Sequence, residues 1–356
     1  LTEKPKISFV VASRNDNHGG DMLNRMHIFT KGLLHQCKKY KLKAEVIFVE
    51  WNPETGKELL HQILPGPKPD DYLTIRYVVV PNRIHRELKY SDRIPLFQMI
   101  AKNVGIRRAQ APFVVCTNVD LLFSDQLMKF LSGENLKTDS YYRANRCDIP
   151  KGIDPSMLVE DMLAYSKKNI LQRLGKDAHF PELENTNMFL YHIPLVGRIL
   201  SLPAKFRRLI GRQTLNDITA TLDLFACGDF TLMSTDAWMN IGGYYELEAY
   251  SIHIDSVGIA CAKALGLNQV ILNKHAVTYH ISHDDGWEVY ELSDPIAKMY
   301  KDLERPCVEW NTLSGLCRKM IAQKEVIQIN KSDWGFANEA FKEYQLFPGE
   351  KLREIN

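Results

Sequence analysis

The sequence predicts an α/β fold built on a mixed, mostly parallel sheet flanked by helices. Short apolar runs alternate with helical periodicities through the first third of the 356-residue chain. Each run stops at a polar loop. The clearest case is Pro112-Phe113-Val114-Val115-Cys116, an apolar run that ends in Thr117-Asn118-Val119-Asp120. Alternation of this kind implies right-handed crossovers, which bring the carboxyl ends of parallel strands to one edge of the sheet. Ligands bind at that edge in open α/β sheets.

Ile7 to Ala12 reads as the first strand, followed by the polar loop Ser13 to Gly20. Asp21 is placed to cap a helix whose apolar positions are Met22, Met26, Phe29, Leu33 and Cys37. Ala44 to Val49 is a second strand, ending in Glu50 and a turn. Leu73 to Val80 is a third, ending at Pro81-Asn82-Arg83. Pro95 opens a helix through Ala109, and Phe113 to Cys116 is the fourth strand. From Lys151 to Asp223 the alternation breaks down. Pro155 to Gly175 is expected as one helix and Ile193 to Arg212 as a second, together a helical insertion over the sheet edge. The expected division is a first half over 1–150, the insertion over 151–223, a second half of the same domain over 224–290 and a C-terminal helical extension over 291–356.

Composition excludes some classes. A net charge of +2 with ordinary charged and apolar fractions does not suit a nucleic-acid binder. No run approaches the roughly 18 to 20 apolar residues of a membrane span, and no secretory signal is visible. The cysteines at 37, 116, 147, 227, 261, 307 and 317 form no Cys-x-x-Cys pair and suit a reducing compartment. A cytoplasmic protein is the expectation. One segment qualifies it: in 193–212 the cations Arg198, Lys205, Arg207, Arg208 and Arg212 are interleaved with apolar residues. Such a segment either lies in an anionic membrane interface or forms a lid helix with its basic face in water.

The unit Ile100-Ala101-Lys102-Asn103-Val104-Gly105-Ile106-Arg107-Arg108-Ala109, followed by a strand and Asn118-Val119-Asp120, resembles the nucleotide-sugar-binding half of GT-A glycosyltransferases, particularly the family 2 type. Phe225 to Glu246, with its Gly242-Gly243-Tyr244-Tyr245-Glu246, resembles the galactosyltransferase-type acceptor side. The resemblance implies a Rossmann-like GT-A fold and transfer of a sugar from a nucleotide-diphosphate sugar to a hydroxyl of a glycan or lipid-linked acceptor, as in polysaccharide biosynthesis. It implies an inverting reaction assisted by Mn2+ or Mg2+. It places Ala12, Ser13, Arg14, Glu50, Arg83, Asn103, Asn118 and Asp120 on the donor side, with Glu50 at the nucleoside base. Arg14 and Arg83 either face phosphates or are solvated loop charges, and Glu50 alone would read as a strand-end carboxylate.

In the related enzymes an Asp at a helix start is the general base. Asp255 in Ser251-Ile252-His253-Ile254-Asp255 matches it, leading into a helix with Val257, Ala260, Cys261, Ala264 and Leu265 on its apolar face. Its other reading is a helix N-terminal charge, and Asp229 and Glu246 are the reserves. A late histidine often completes the metal shell of such enzymes, so His280 and then His283, in the text after the strand at Val277, join Asp120. Asn118 stands where the motif usually has Asp, which removes one possible metal charge. Ser332 to Ala337 resembles a C-terminal element of the same transferases. Two other readings stay open: a sugar-phosphate nucleotidyltransferase, which would carry a basic phosphate loop after the first strand, and a non-catalytic carbohydrate-binding protein.

Overall fold

The computed structural model describes residues 4–175, 206, 221–283, 306–308 and 310–355. Strands β1 (Ile7–Ser13), β2 (Ala44–Trp51), β3 (Leu73–Val80) and β4 (Phe113–Thr117) form the parallel centre of a mixed sheet, in the order β4-β1-β2-β3. Beyond β4 come β9 (Phe230–Ser234), antiparallel to it, then β6 (Ser140–Arg143) and β10 (Asn268–Ile271). Beyond β3 come β12 (Lys342–Leu346) and β13 (Arg353–Glu354), both antiparallel.

The central strands are buried almost throughout because helices cover both faces. Side chains alternate accordingly. Ile7, Phe9 and Val11 pack with Met22, Met26, Phe29 and Leu33 of α1 (Met22–Lys39), while Val10 and Ala12 join Ile100 and Val104 of α4 (Gln98–Arg107). The second layer also holds α7 (Thr235–Ile241), α8 (Ile254–Ala264) and α9 (Trp310–Gln323). Short helices α2 (Leu60–Ile63) and α3 (Asn82–Glu87) follow β2 and β3.

A smaller sheet stands beside the main one, in the order β5-β11-β7-β8: β5 (Leu121–Phe123), β11 (Val277–Ile281), β7 (Asn145–Ile149) and β8 (Gln172–Leu174). It packs on Ile28 of α1 and on Met162 of α6 (Val159–Lys168). Helix α5 (Asp125–Ser132) starts at a Ser124 cap.

Several expectations shift. Residues 155–175 are not one helix: α6 stops at Lys168, and Gln172–Leu174 pairs with β7, where the Gln172 side chain reaches Asp148. The α4 helix begins at Gln98, three residues after Pro95, and stops at Arg107. At the start of α1, Asp21 has a left-handed φ of 53° and makes no side-chain cap. Leu265 is the C-cap of α8 and is exposed, outside its apolar face. His280 lies inside β11 and only His283 follows it. The C-terminal segment carries two strands besides α9, held by Arg76 of β3, which pairs with Glu45 and with Glu343 of β12. The segment 193–212, apart from Phe206, lies outside the described residues, as do Asp284 and Asp285. No described helix is long and apolar enough to cross a membrane.

Candidate metal and donor site

The turn after β4 delivers Asp120 to the small sheet, and strand register does the rest. β11 runs antiparallel to β5 with His280 opposite Leu121, and the Ile281 N–H donates to the Asp120 carbonyl at 3.0 Å. β11 runs parallel to β7 with His280 opposite Asp148. A histidine thereby lies between two aspartates, its Nε2 3.5 Å from Asp120 Oδ2 and its Nδ1 3.1 Å from Asp148 Oδ1. His283 Nε2 approaches the same Asp120 oxygen at 3.3 Å.

Ligand atoms of Asp120, His280 and His283 lie within 4.8 Å of one another. The other Asp120 oxygen, Oδ1, is buried without a hydrogen-bond partner. Such an atom is costly unless something binds it. Asp148 would hold the His280 ring with Nδ1–H outward and Nε2 toward Asp120, the support that metal-ligating histidines usually have. One carboxylate and two imidazoles suit a divalent transition ion such as Mn2+ better than Mg2+, which prefers oxygen. The residues present fit the metal that the resemblance implies.

Electrostatics agree with a compact charge cluster. Burial would raise the Asp120 carboxyl, but His280 and His283 hold it well below the ordinary range. Burial and Arg146 push the His280 imidazole down, and Asp120 and Asp148 outweigh them, so its protonated form is favoured. Asp148 is likewise buried, and His280 and Arg146 hold its carboxyl low.

From Asp148 a polar chain runs back to the main sheet. Arg146, two positions earlier on the same face of β7, pairs with Asp148 and, at 3.1 Å, with Asp229. The other Asp229 oxygen accepts from Asn118 Nδ2 at 2.6 Å. The Asn118 oxygen accepts from Gln98 at 2.9 Å and from Lys102 at 2.8 Å. Asn118 is thus a junction that must donate on one side and accept on the other, which an ionised Asp cannot do. This accounts for the departure from the usual motif. The Lys102 ammonium, fully buried and disfavoured by desolvation, also donates to the Gly228 carbonyl at 2.8 Å. Gly228 N–H in turn donates to Asp255 Oδ2 at 2.7 Å, and Ser256 N–H to Oδ1 at 2.8 Å. Asp255 therefore joins the cluster through the 225–229 turn.

The remaining expected residues divide. Ala12 and Ser13 end β1 at the same edge, where the buried Ser13 hydroxyl faces Met26 Sδ at 3.0 Å. Arg14 lies 3.5 Å from both Asp16 and Glu54. Glu50 is fully buried, and both its oxygens accept from Leu60 N–H, at 3.1 and 3.0 Å. Arg83 points outward to Glu339 at 2.6 Å, apart from the Asp120 group.

Asn103 and Glu246 form a separate clamp. Asn103 bonds the Tyr244 N–H and carbonyl, each at 2.8 Å, and Glu246 at 3.0 Å. Glu246 also accepts from Gly335 N–H at 2.7 Å, which fastens the Ser332–Ala337 segment; burial raises its carboxyl. Gly242 is the left-handed C-cap of α7 at φ 74°. A Cβ on Gly243 would lie 2.5 Å from Asn103 Oδ1. Both glycines serve contacts within the chain.

Asp148, Arg146, Lys102 and Arg25, whose Nη1 lies 3.6 Å from Asp120 Oδ2, were not singled out by sequence reasoning. A signal existed for three of them: Arg146 and Asp148 alternate on one face of a strand, and Lys102 interrupts an apolar helix face.

No family model and no curated protein matches the chain. Among solved structures it is similar to the catalytic domain of Drosophila beta1,4galactosyltransferase 7 in complex with xylobiose, at TM-score 0.37 and 9% identity over 92% of this chain and 84% of that one. It is also similar to S. aureus TarS 1-349, at TM-score 0.36 and 13% identity over 90% and 71%. Likeness at this level assigns no activity.

Proposed function

We propose that the chain is a metal-assisted, inverting glycosyltransferase that uses a nucleotide-diphosphate sugar and a glycan or lipid-linked hydroxyl acceptor. The observation that carries the reading is Asp120, with one oxygen facing two histidines and the other buried and unbonded, at the carboxyl edge of the parallel central strands and linked to Asp255 by a buried polar chain. Asp120, His280 and His283 would hold the metal, which when bound supplies positive charge to the leaving diphosphate. Asp148 keeps the His280 ring oriented, and Arg146 keeps Asp148 and Asp229 in place. Arg14 and Asn118 stand on the donor side of the same edge.

Asp255 takes the proton from the acceptor hydroxyl as it attacks the anomeric carbon. Two amide hydrogen bonds orient its carboxylate, and each oxygen retains a lone pair for the acceptor. It is preferred to the two reserves. Asp229 has each oxygen engaged by a side chain, and Glu246 ties the C-terminal segment to α4. A single displacement by a deprotonated hydroxyl inverts the anomeric centre.

The test is a thermal-shift screen of nucleoside diphosphates and nucleotide sugars with and without Mn2+, followed by donor-hydrolysis assays of the stabilising sugars. A ligand that binds only the native state raises its Tm. Stabilisation by one nucleotide family that depends on Mn2+, with donor turnover, is expected. Stabilisation by free sugars without turnover would replace the reading with a carbohydrate-binding one.

A further inference from the structure

Asp255 is held by two amides of different kinds. The Ser256 N–H belongs to the next residue of α8 and moves with the carboxylate, so it fixes Asp255 only to its own helix. The Gly228 N–H, 2.7 Å from Oδ2, comes from 27 residues away and ties the carboxylate to the turn that leads into β9. That contact needs a glycine, because a Cβ on Gly228 would lie 3.1 Å from Asp255 Oδ2. A glycine, however, leaves the peptides on either side of it free to turn.

Both peptides are held from elsewhere. A trans peptide is planar and its C=O and N–H point in opposite directions, so whatever grips the Cys227 carbonyl also aims the Gly228 N–H. The Cys227 carbonyl accepts from the Thr231 hydroxyl at 2.8 Å and from Arg143 Nη1 at 3.3 Å. On the other side of Gly228, Lys102 Nζ holds the Gly228 carbonyl at 2.8 Å.

Strand register sets the two groups on the Cys227 carbonyl. Thr231 of β9 stands opposite Cys116 of β4 and opposite Arg143 of β6, and both Thr231 and Arg143 are buried. Arg143 Nη1 also donates to Thr231 Oγ1, at 3.2 Å, and to the Phe230 carbonyl, while Nη2 donates to that of Phe225 at 2.6 Å. Valine has the shape of threonine, but only a hydroxyl takes a hydrogen bond from Arg143 and gives one to Cys227.

We propose that Thr231, backed by Arg143, is a positioning residue for the general base: through the Cys227–Gly228 peptide it keeps the Gly228 N–H aimed at Asp255 and the carboxylate turned toward the acceptor. This rests on Asp255 as the base, as read above.

The experiment is donor hydrolysis by the whole chain, with whichever of UDP-glucose, UDP-galactose, UDP-N-acetylglucosamine and GDP-mannose the wild type turns over fastest. T231V removes the hydroxyl and keeps the shape; it should lower kcat about five- to tenfold, with KM for the nucleotide sugar changed by less than about twofold. T231S keeps the hydroxyl and should keep kcat within about twofold. The deciding comparison is in a D255N background, where no base is left to position and T231V should cost less than about twofold. Equal losses in both backgrounds, or a T231S as slow as T231V, would mean that Thr231 serves packing alone and would overturn the inference. A wild-type kcat in T231V overturns it too. R143K, which cannot reach all of these acceptors from one nitrogen, should also lower kcat; a wild-type kcat there at a wild-type Tm overturns the inference even if T231V does not fold. D255N turning over as fast as the wild type, or a wild type that hydrolyses none of these sugars, removes the reading beneath it, an outcome distinct from the others.

Discussion

At the residue scale, roles follow from which lone pairs are taken. Asp120 has an oxygen with no partner, whereas each Asp229 oxygen is held by a side chain and both Glu50 oxygens by the Leu60 amide. Asp120→Asn replaces a charged ligand by a neutral one of the same shape. Mn2+ affinity, measured at saturating nucleotide, should drop at least roughly tenfold while Tm without ligand stays within a few degrees. Unchanged affinity would remove Asp120 from the site. Asp255→Asn keeps the acceptor for Gly228 N–H and loses basicity, so turnover should fall about a hundredfold or more with nucleotide affinity retained. Persisting turnover would move the base elsewhere.

Asp120, His280 and His283 could be named from the sequence only through the resemblance to GT-A transferases, because a strand-end Asn-x-Asp and late histidines are common text on their own. Asp148 and Arg25 could not, because their meaning lies in partners far along the chain: an aspartate in a strand becomes a histidine's support only once register sets it opposite His280.

At the element scale, close packing of α4 on the sheet sets the geometry of the donor side. Gly105 makes this possible: a Cβ there would lie 2.5 Å from Val10 Cγ1 and 3.2 Å from Val49 Cγ2. Gly105→Ala should therefore destabilise the protein by about 1 to 3 kcal/mol despite alanine's better helix propensity. Urea denaturation would check the sign, and a stabilised variant would mean that α4 does not sit this close. The same helix carries Lys102 and Asn103, so the loss should also move Asn118. Element types were readable where the periodicity was long, as in α1. They failed over 155–175, where β8 is only three residues long and exists because β7 offers it an edge. The small sheet as a whole was unreadable for that reason: β5 and β8 are shorter than any periodicity can register.

At the scale of the whole molecule, the main sheet grows by addition at both ends. The parallel centre was legible as alternating strands and helices, while β12 and β13 were hidden in an expected helical extension, since antiparallel edges are chosen by tertiary pairing. Folding around this sheet buries Glu50 completely at the end of β2, and that burial pushes its carboxyl from 4.5 up to about 7, against the opposing pull of the Leu60 amide.

The consequence is a stability that depends on pH. Between these two values the unfolded chain has lost the Glu50 proton and the folded chain keeps it. The folded state binds more protons there, so stability falls as pH rises from about 4.5 to about 7, by on the order of 3 kcal/mol. Above that window both states are ionised and the slope from this group ends. Glu50→Gln is neutral at every pH, and its amide oxygen can still accept from Leu60. Urea unfolding of both chains across pH 4.5 to 8 isolates the group, because the other titrating residues cancel in the difference. The variant should gain on the wild type steadily up to about pH 7 and hold that advantage at pH 8. A difference that stays flat across the range would mean that Glu50 ionises in the folded protein as freely as in the unfolded chain, with water reaching a carboxylate that the packing of α2 against β2 seals off.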